Sequence, residues 1–306
     1  MKKKFIRRCV LFLAPIALVA VVFDVLLRHI PNDYSYKCGY LRKNSDSIQV
    51  LLLGSSHGFY DIDPRYIHAR CFNAAYVSQS LDYDDAILEK YTWRSLRYIL
   101  VPVSYFSIYT NLSTTREAWR ARDYVMYYQL PTARGLADYT EIFSNKLGFN
   151  WGRISTYYLS HISDITCTDL GWGTQFNSSN DQDLEKSAQE AISRHTVPRN
   201  EVVIAGNIAV LKRMILFAQQ RNIQVILYTP PAYHTYTDLV DKTQLASTIQ
   251  VATEDTATYT NTRYLNFLSD ARFTKPDFYD ADHLNDRGAE KFTKLIDTIL
   301  TKTNDR

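Results

Sequence analysis

The stretch SIQVLLLGSSHGFYDIDP, residues 47–64, decides the fold because it joins an apolar strand to a polar turn. Its apolar residues from Val50 to Leu53 are continuous rather than alternating, which is typical of a strand buried on both faces of a parallel sheet. Gly54 permits a tight turn directly after this strand, so that Ser55 or Ser56 projects at the mouth of the sheet. Because ligands of such sheets bind at the carboxyl ends of the strands, the stretch predicts a polar site there.

Further strand and helix patterns alternate along the chain. Strands are predicted near CFNAAYV (71–77), at Tyr98–Val101, in QVILYTPP (224–231), where Pro230 and Pro231 stop the strand, and at RYLNFL (263–268). Helices are predicted within SLDYDDAILEKYTWRSL (80–96), NIAVLKRMILFAQQRNI (207–223) and NDRGAEKFTKLIDTILTKT (285–303). This alternation indicates an α/β fold, a three-layer α/β/α sandwich with a mainly parallel sheet. Ser104 and Thr229 also follow predicted strands and belong to the same edge of that sheet.

The middle of the chain, at about 110–200, interrupts the alternation. It is rich in tyrosine, tryptophan and arginine, as in TREAWRARDYVMYYQL, and it is too long for an ordinary loop. We interpret it as a helical insertion beside the site. Its aromatic side chains could either contact a sugar or an anionic polymer, or form the hydrophobic core of the insertion itself.

The N-terminus has the pattern of a membrane anchor. The cationic cap MKKKFIRR precedes a run that is apolar from Cys9 to Leu27, interrupted by Asp24. A helix needs about 20 apolar residues to span a bilayer, and flanking cations stay on the cytoplasmic side. A cleaved signal peptide would require a small-x-small cleavage site, and none is convincing. A buried helix of a soluble protein leaves the five cations of the cap unexplained.

These patterns predict the domain organisation. Residues 1–30 form the cytoplasmic cap and a single-pass transmembrane helix in the cell membrane, residues 31–47 form a linker, and residues 48–306 form an extracytoplasmic catalytic domain. The formal net charge is +3, but the first 30 residues hold a positive excess, so the remainder is slightly acidic. This balance gives no indication of nucleic-acid binding. Three cysteines lie beyond the anchor, where one disulfide could form, and their spacing matches no zinc motif.

The segment DFYDADHLNDRGAEKF, residues 277–292, carries a second polar pattern. Asp280 and His283 are three residues apart, just before the predicted last helix. A histidine can accept the proton of a serine hydroxyl when a carboxylate holds its other ring nitrogen and stabilises the imidazolium. The alternative is that Ser56 caps a helix and that Asp280 and His283 only form local hydrogen bonds.

LLLGSSHG (51–58) and DADH (280–283) together resemble the SGNH/GDSL hydrolase superfamily. The first block of that family is Gly-Asp-Ser after the first strand, and its last block is Asp-x-x-His before the C-terminal helix. The resemblance implies that Ser56 is the nucleophile, His283 the general base and Asp280 its partner. The Gly-Ser-Ser variant on an N-terminal anchor resembles the branch that contains teichoic-acid D-alanylation and polysaccharide O-acetylation proteins.

Two family blocks depart from the usual pattern. The family forms its oxyanion hole with a second-block glycine N–H and a third-block asparagine amide. Here VSQS (77–80) stands in the second block, with Ser78 or Gln79 at the turn, and Ser104 takes the place of the asparagine. In a protease, the loss of one oxyanion donor lowers the rate on the order of 10²–10³-fold. These departures put efficient hydrolysis in question.

The remaining candidates are histidines and aspartates. We expect the side chain of His57 to point away from the reaction centre of its neighbour Ser56, and His234, which follows the fourth strand, to reach the cleft as a substrate contact. Asp61 and Asp63 indicate a turn before Pro64 rather than a metal pair. The other histidines are expected at the surface or in packing: His29, His68, His161 and His195.

The sequence and the resemblance together predict acyl transfer, of acetyl groups in the first instance, to or from a cell-surface polysaccharide by a serine esterase or O-acyltransferase. The resemblance implies a multi-spanning membrane acyltransferase as a partner that delivers the acyl donor. No cofactor and no metal are implied. The alternative is a non-catalytic, membrane-anchored protein that uses the same fold for glycan binding or assembly.

Overall fold

A computed structural model describes residues 2–132, 135–179 and 183–304. Its centre is a five-stranded parallel sheet in the order β2-β1-β3-β4-β5, so the predicted fold class is confirmed. The register places Leu52 of β1 beside Asn73 on one side and Leu100 on the other. The strands are β1 (Val50–Leu52), β2 (Cys71–Asn73), β3 (Tyr98–Pro102), β4 (Gln224–Thr229) and β5 (Thr262–Asn266).

The strands alternate with helices along the chain, as the sequence pattern predicts. The first six α-helices are α1 (Lys2–Arg28), α2 (Asp33–Asn44), α3 (Ser56–Asp61), α4 (Leu81–Lys90), α5 (Ala121–Met126) and α6 (Leu147–Ser160). They are followed by α7 (Leu184–His195), α8 (Glu201–Gln219), α9 (His234–Thr237), α10 (Lys242–Thr258) and α11 (Asp286–Asn304). The expected linker at 31–47 thus contains a helix, α2.

The chain divides into two compact units. One, the helical unit, consists of Met1–Cys38 and Trp119–Ile165, and the other, the sheet unit, consists of Gly39–Ala118 and Thr166–Arg306. The helical unit therefore takes up the first helix and the central part of the segment that the sequence analysis reads as an insertion. The sheet unit contains all five strands and both family-like blocks.

The core of the sheet unit covers both faces of the sheet. Val50 and Leu52 face one side, where they pack in a cluster with Phe292 and Ile296 of α11. The alternate residue Leu51 is also completely buried on the other side. A strand whose successive side chains are all buried needs helices on both faces, which is why β1 has a continuous apolar sequence.

The helical unit contains a helix, α1, that is long and apolar enough to cross a membrane. Its 27 residues span about 40 Å at 1.5 Å per residue. Asp24, the one carboxylate in the apolar run, accepts hydrogen bonds from the backbone N–H groups of Glu141 (2.6 Å) and Ile142 (3.0 Å). Asp24, which interrupts the apolar run, therefore holds the segment that precedes α6 by these two hydrogen bonds.

Candidate active site

The turn after β1 depends on two glycines. Gly54 has φ +107°, and a Cβ at this position would lie 2.3 Å from Cγ of Pro102, so a larger residue would clash there. Gly58 packs α3 closely under the strand, because its Cβ would lie 2.7 Å from the carbonyl oxygen of Leu53. The backbone thus reverses tightly, and Ser56 occupies the first position of α3 at the carboxyl end of β1.

Ser56, His283 and Asp280 form a continuous series of hydrogen bonds. Oγ of Ser56 lies 2.8 Å from Nε2 of His283. Nδ1 of the same ring lies 3.0 and 3.1 Å from the two carboxylate oxygens of Asp280. We refer to these three residues as the cavity series, because Ser56 and His283 line a cavity of the sheet unit.

The loop before α11 holds Asp280 and His283 in place. The carboxylate of Asp280 accepts hydrogen bonds from the backbone N–H groups of Asp282 (3.1 Å) and His283 (2.8 Å). One residue further, the N–H of Leu284 donates to the completely buried carboxylate of Asp61 at 2.9 Å. Because Asp61 is the last residue of α3, this bond ties the helix that carries Ser56 to the loop that carries His283.

A second set of the same residue types lies behind the first. Oγ of Ser104, which follows β3, lies 2.8 Å from Nδ1 of His57. Nε2 of His57 lies 3.5 Å from the carboxylate of Asp282. All three side chains are buried, and we refer to them as the buried series. His57, expected to point away from the reaction centre, is not among the described residues that line the cavity, but its ring stacks on that of His283 with centroids 4.7 Å apart.

Asp282 is the common neighbour of three imidazole rings. Besides His57, its oxygens lie 3.7 Å from Nδ1 of His283 and 3.7 Å from Nδ1 of His195. Within the described part of the chain, neither carboxylate oxygen has a partner at hydrogen-bond distance. His195, expected at the surface or in packing, is mostly buried and binds the hydroxyl of Tyr236 at 3.0 Å. The negative charge of the buried Asp282 carboxylate is therefore compensated mainly by the imidazole rings that surround it.

The three histidines differ in their pKa values because of their surroundings. Burial lowers the pKa of His57, and it lowers the pKa of His195 to about 3. Burial acts in the same direction on His283, but the negative charges of Asp280 and Asp282 outweigh it and raise the pKa of His283 above its ordinary value of 6.5. Of the three rings beside Asp282, His283 is thus the strongest base.

The same cluster has the composition of a metal site. Ligand atoms of His57, Asp282 and His283 lie within 4.8 Å of one another. Imidazole and carboxylate groups in this arrangement suit a divalent transition metal. However, both nitrogens of His283 already have partners, Ser56 and Asp280. An ion bound through this ring would have to displace one of them, so the donor set fits a histidine base better than a metal ligand.

The cavity in front of Ser56 has a volume of about 570 Å³. This volume is in the range of small-molecule sites. Tyr60 and Phe176 flank the reactive end, and the ring of Phe176 meets that of His283 edge to face at 5.3 Å. The remaining wall is mixed, with hydroxyl, aromatic and charged side chains that include Ser80, Phe106, Tyr109, Thr110, Thr115, Arg116, Glu117 and Arg194.

The predicted oxyanion residues occupy different positions. Ser78 lines the cavity with φ +59°, the left-handed conformation that glycine favours, and its hydroxyl donates to Glu117 at 2.9 Å. Gln79 also lines the cavity, but its amide donates to the carboxylate of Asp84 at 2.6 Å. Ser104 bonds to His57, as described above. The side chains of Ser78, Gln79 and Ser104 are therefore all hydrogen-bonded to other protein groups.

Asp84 links the two turns of the site. Its Oδ1 accepts hydrogen bonds from the backbone N–H of Gly54 at 2.7 Å and from the amide of Gln79. Burial raises the pKa of Asp84 to about 7, although both hydrogen bonds act against this shift. Sequence reasoning missed this residue, because an aspartate in the first turn of α4 has the pattern of a helix-terminal charge.

His234, a predicted substrate contact, lies away from the cavity and from the cavity series. Its side chain is about two-thirds exposed at the start of α9, and its Nδ1 lies 3.6 Å from Asp238. Among the described residues that line the cavity, His234 does not occur. The prediction failed because a position after a strand end fixes the edge of the sheet but not the direction of the side chain.

Two comparisons found similar proteins. The model of a family described as "Protein of unknown function (DUF1574)" matches residues 172–301, which contain β4, β5 and the loop with Asp280 and His283. A solved chain from Streptococcus pneumonia, provisionally described as a platelet activating factor, has a TM-score of 0.45 and 9% identity. That similarity covers 95% of this chain and 98% of the solved one. No curated protein matches the sequence. The chemistry of the site has to be inferred from its own geometry.

Proposed function

We propose that the protein is a serine-dependent acyl-transfer enzyme with an SGNH-like active site, and that it adds acyl groups, acetyl in the first instance, to a cell-surface polysaccharide or removes them. One observation carries this proposal. The hydroxyl of Ser56 lies 2.8 Å from an imidazole nitrogen whose partner nitrogen contacts a carboxylate, and serine and imidazole both face a cavity.

The cavity series supplies the groups for a two-step transfer. Oγ of Ser56 attacks the acyl carbonyl carbon while Nε2 of His283 accepts the hydroxyl proton. Asp280 holds the proton of the ring on Nδ1 and stabilises the imidazolium that forms. The tetrahedral intermediate then expels its alcohol, which takes the proton from His283, and leaves an acyl-serine. A sugar hydroxyl or water attacks that ester in the second step.

The negative oxygen of the intermediate needs hydrogen-bond donors. The first turn of α3 offers backbone N–H groups at Ser56 and His57, because the initial N–H groups of a helix have no carbonyl partner within it. We assign the backbone N–H of Ser78, which lines the cavity in a left-handed turn, to the role of the family's glycine N–H. Main-chain groups thus take the donor role that the sequence analysis gave to the side chain of Ser104.

The walls of the cavity favour a polyhydroxylated substrate. Serine and threonine hydroxyls alternate with the aromatic rings of Phe106 and Tyr109, and Arg116, Glu117 and Arg194 add charges. Aromatic faces with nearby hydrogen-bonding groups suit sugar rings. With the N-terminal helix in the cell membrane and its cationic cap in the cytoplasm, the site would lie outside the cell, where a multi-spanning acyltransferase could supply the acyl group.

The alternative function, glycan binding without catalysis, has one observation in its favour. The amide of Gln79 and the hydroxyl of Ser104 are both bonded to protein groups, so the site has fewer side-chain donors for an oxyanion than the SGNH pattern requires. If the main-chain donors do not compensate, the cavity would hold an acylated glycan without turning it over.

Labelling with a fluorophosphonate probe tests the proposed function. The full-length protein in detergent should react covalently at Ser56, and the Ser56→Ala variant should not react. Ser55→Ala is the matched control, since the neighbouring hydroxyl is buried and does not contact the base. Absence of labelling in the folded wild-type protein would favour the binding function. Equal labelling of wild type and Ser56→Ala would rule out Ser56 as the nucleophile.

A further inference from the structure

A second apolar surface lies in the helical unit, outside the transmembrane helix. We define the α6 face as six large apolar side chains on α6 and its flanking residues, each between 60% and 80% exposed: Phe143, Leu147, Phe149, Trp151, Leu159 and Ile162. The exposed side of a helix in water is normally polar. Six large apolar side chains exposed on one short segment indicate a surface that another phase or molecule covers.

The composition of this segment favours lipid. Between residues 147 and 162 the sequence contains no aspartate, glutamate or lysine, and its single arginine is Arg153. That arginine does not contribute a free charge, because it pairs with Glu141 at 3.2 Å and with Asp164 at 2.8 Å. The remaining exposed positions are aromatic, aliphatic, glycine, serine, threonine or histidine. Helices that lie in the membrane interface bury such a face between the headgroups and the acyl chains.

The α6 face is continuous with the apolar surface of α1. The ring of Trp151 stacks on that of Phe23 with centroids 6.3 Å apart and planes 3° apart. Ile154, one turn further along the same side of α6, packs in a cluster with Leu27 and Ile30 at the end of α1. The contact thus involves the last turns of α1, which is the end of the apolar run and the level of the membrane surface if α1 spans the bilayer.

We propose that α6 is an interfacial membrane helix, which lies in the same leaflet as the end of α1 with the α6 face in the acyl-chain boundary. Trp151 lies opposite Phe23, one helical turn before Leu27, which sets its depth at about 5–6 Å below the end of the apolar run. Tryptophan is enriched at this level of membranes. The hydrogen bonds from Glu141 and Ile142 to Asp24 then attach the interfacial segment to the transmembrane helix.

A protein partner is the competing occupant of the α6 face. Protein interfaces, however, combine an apolar centre with a polar and charged rim, and the charged side chains between Phe143 and Ile162 are the paired Arg153 and Lys146 at the start of α6. The proposal is independent of the chemistry at Ser56. It depends on α1 as a transmembrane helix and concerns where the helical unit meets the bilayer.

Tryptophan quenching by brominated lipids tests the proposal with the full-length chain. The protein carries Trp119→Phe and is reconstituted in phosphatidylcholine–phosphatidylglycerol vesicles with or without phosphatidylcholine brominated near the headgroup end of its acyl chains. Trp151 should be quenched by the brominated lipid, so Trp151→Phe should remove most of the quenching. Trp93→Phe is the matched control, because Trp93 is buried and its indole bonds to the carbonyl of Leu88.

A gain-of-signal variant guards against a local disturbance at Trp151. In the Trp151→Phe background, Leu159→Trp should restore quenching by the lipid, and Thr253→Trp, on the exposed polar side of α10, should respond only to acrylamide in water. If Leu159→Trp responds to acrylamide and not to the lipid, the α6 face lies in water and the proposal is wrong. A response to neither quencher would place the face against protein, which also overturns it.

Discussion

The cavity series and the buried series use the same three residue types and differ in what they contact. In the first, Ser56, His283 and Asp280 are linked by short hydrogen bonds, and the serine opens on the cavity. In the second, Ser104 bonds to His57 at 2.8 Å, but His57 lies 3.5 Å from Asp282, and all three side chains are buried. The two rings stack on each other. Residue type alone therefore does not identify the reactive serine.

The difference comes from the backbone at the ends of two neighbouring strands. Gly54 turns the chain after β1 so that Ser56 starts a helix beside the cavity. β3 ends at Pro102, and after Val103 the hydroxyl of Ser104 bonds to His57 instead. In the proposed mechanism, the first arrangement presents a nucleophile to the substrate, and the second fixes the ring of His57 behind the base. The following variants test this division in order of expected effect.

Replacement of the two histidines should give the largest contrast. His283→Gln removes the base of the cavity series, and we expect the esterase activity on an aryl acetate to fall about 10⁴-fold or more, as for triad histidines in proteases. His57→Gln should cost far less, since His57 does not contact Ser56. Steady-state rates of the full-length protein in detergent provide the measurement. Equal losses for the two variants would contradict the division.

The two carboxylates should also differ. Asp280→Asn deprives His283 of its ionised partner and places an amide against Nδ1, which favours the wrong tautomer; in a serine protease this change costs on the order of 10⁴-fold. We expect a loss of that order in kcat with little change in KM. Asp282→Asn is the matched control, since it makes the same substitution two residues away. A greater loss for Asp282→Asn than for Asp280→Asn would show that Asp282, and not Asp280, orients His283.

Asp282 should affect the pH dependence. The negative charges of Asp280 and Asp282 both raise the pKa of His283, and the base is active only when the ring is neutral. The rising limb of kcat/KM should therefore lie above the ordinary histidine pKa of 6.5 in the wild-type protein. Removing the charge lowers the pKa, so Asp282→Asn should move the rising limb to lower pH. An unchanged or alkaline-shifted limb in this variant would show that Asp282 does not act on His283.

Much of this architecture is predictable from the sequence, for identifiable reasons. A continuous apolar strand ending in Gly54, and Asp-x-x-His before an amphipathic helix, placed Ser56 and His283 at one edge of the sheet. The positions of Asp84 and His195 beside the cavity were not predictable, because they depend on the tertiary packing of α4 and α7. Asp282 lies within the DADH motif, but the sequence alone does not indicate whether its carboxylate is buried beside three histidine rings or exposed to water.

Ser104→Ala should have the smallest effect of these variants, and it separates two roles for this residue. The family pattern makes position 104 an oxyanion donor, and the loss of such a donor costs on the order of 10²–10³-fold. In the structure the hydroxyl bonds to His57 instead. One neutral hydrogen bond contributes about 1 kcal/mol, which corresponds to less than about tenfold in rate. We expect a rate within about tenfold of wild type and a lower melting temperature. A loss of 10²-fold or more at unchanged stability would mean that the hydroxyl turns to the cavity during the reaction, and the buried series would then take part in the chemistry.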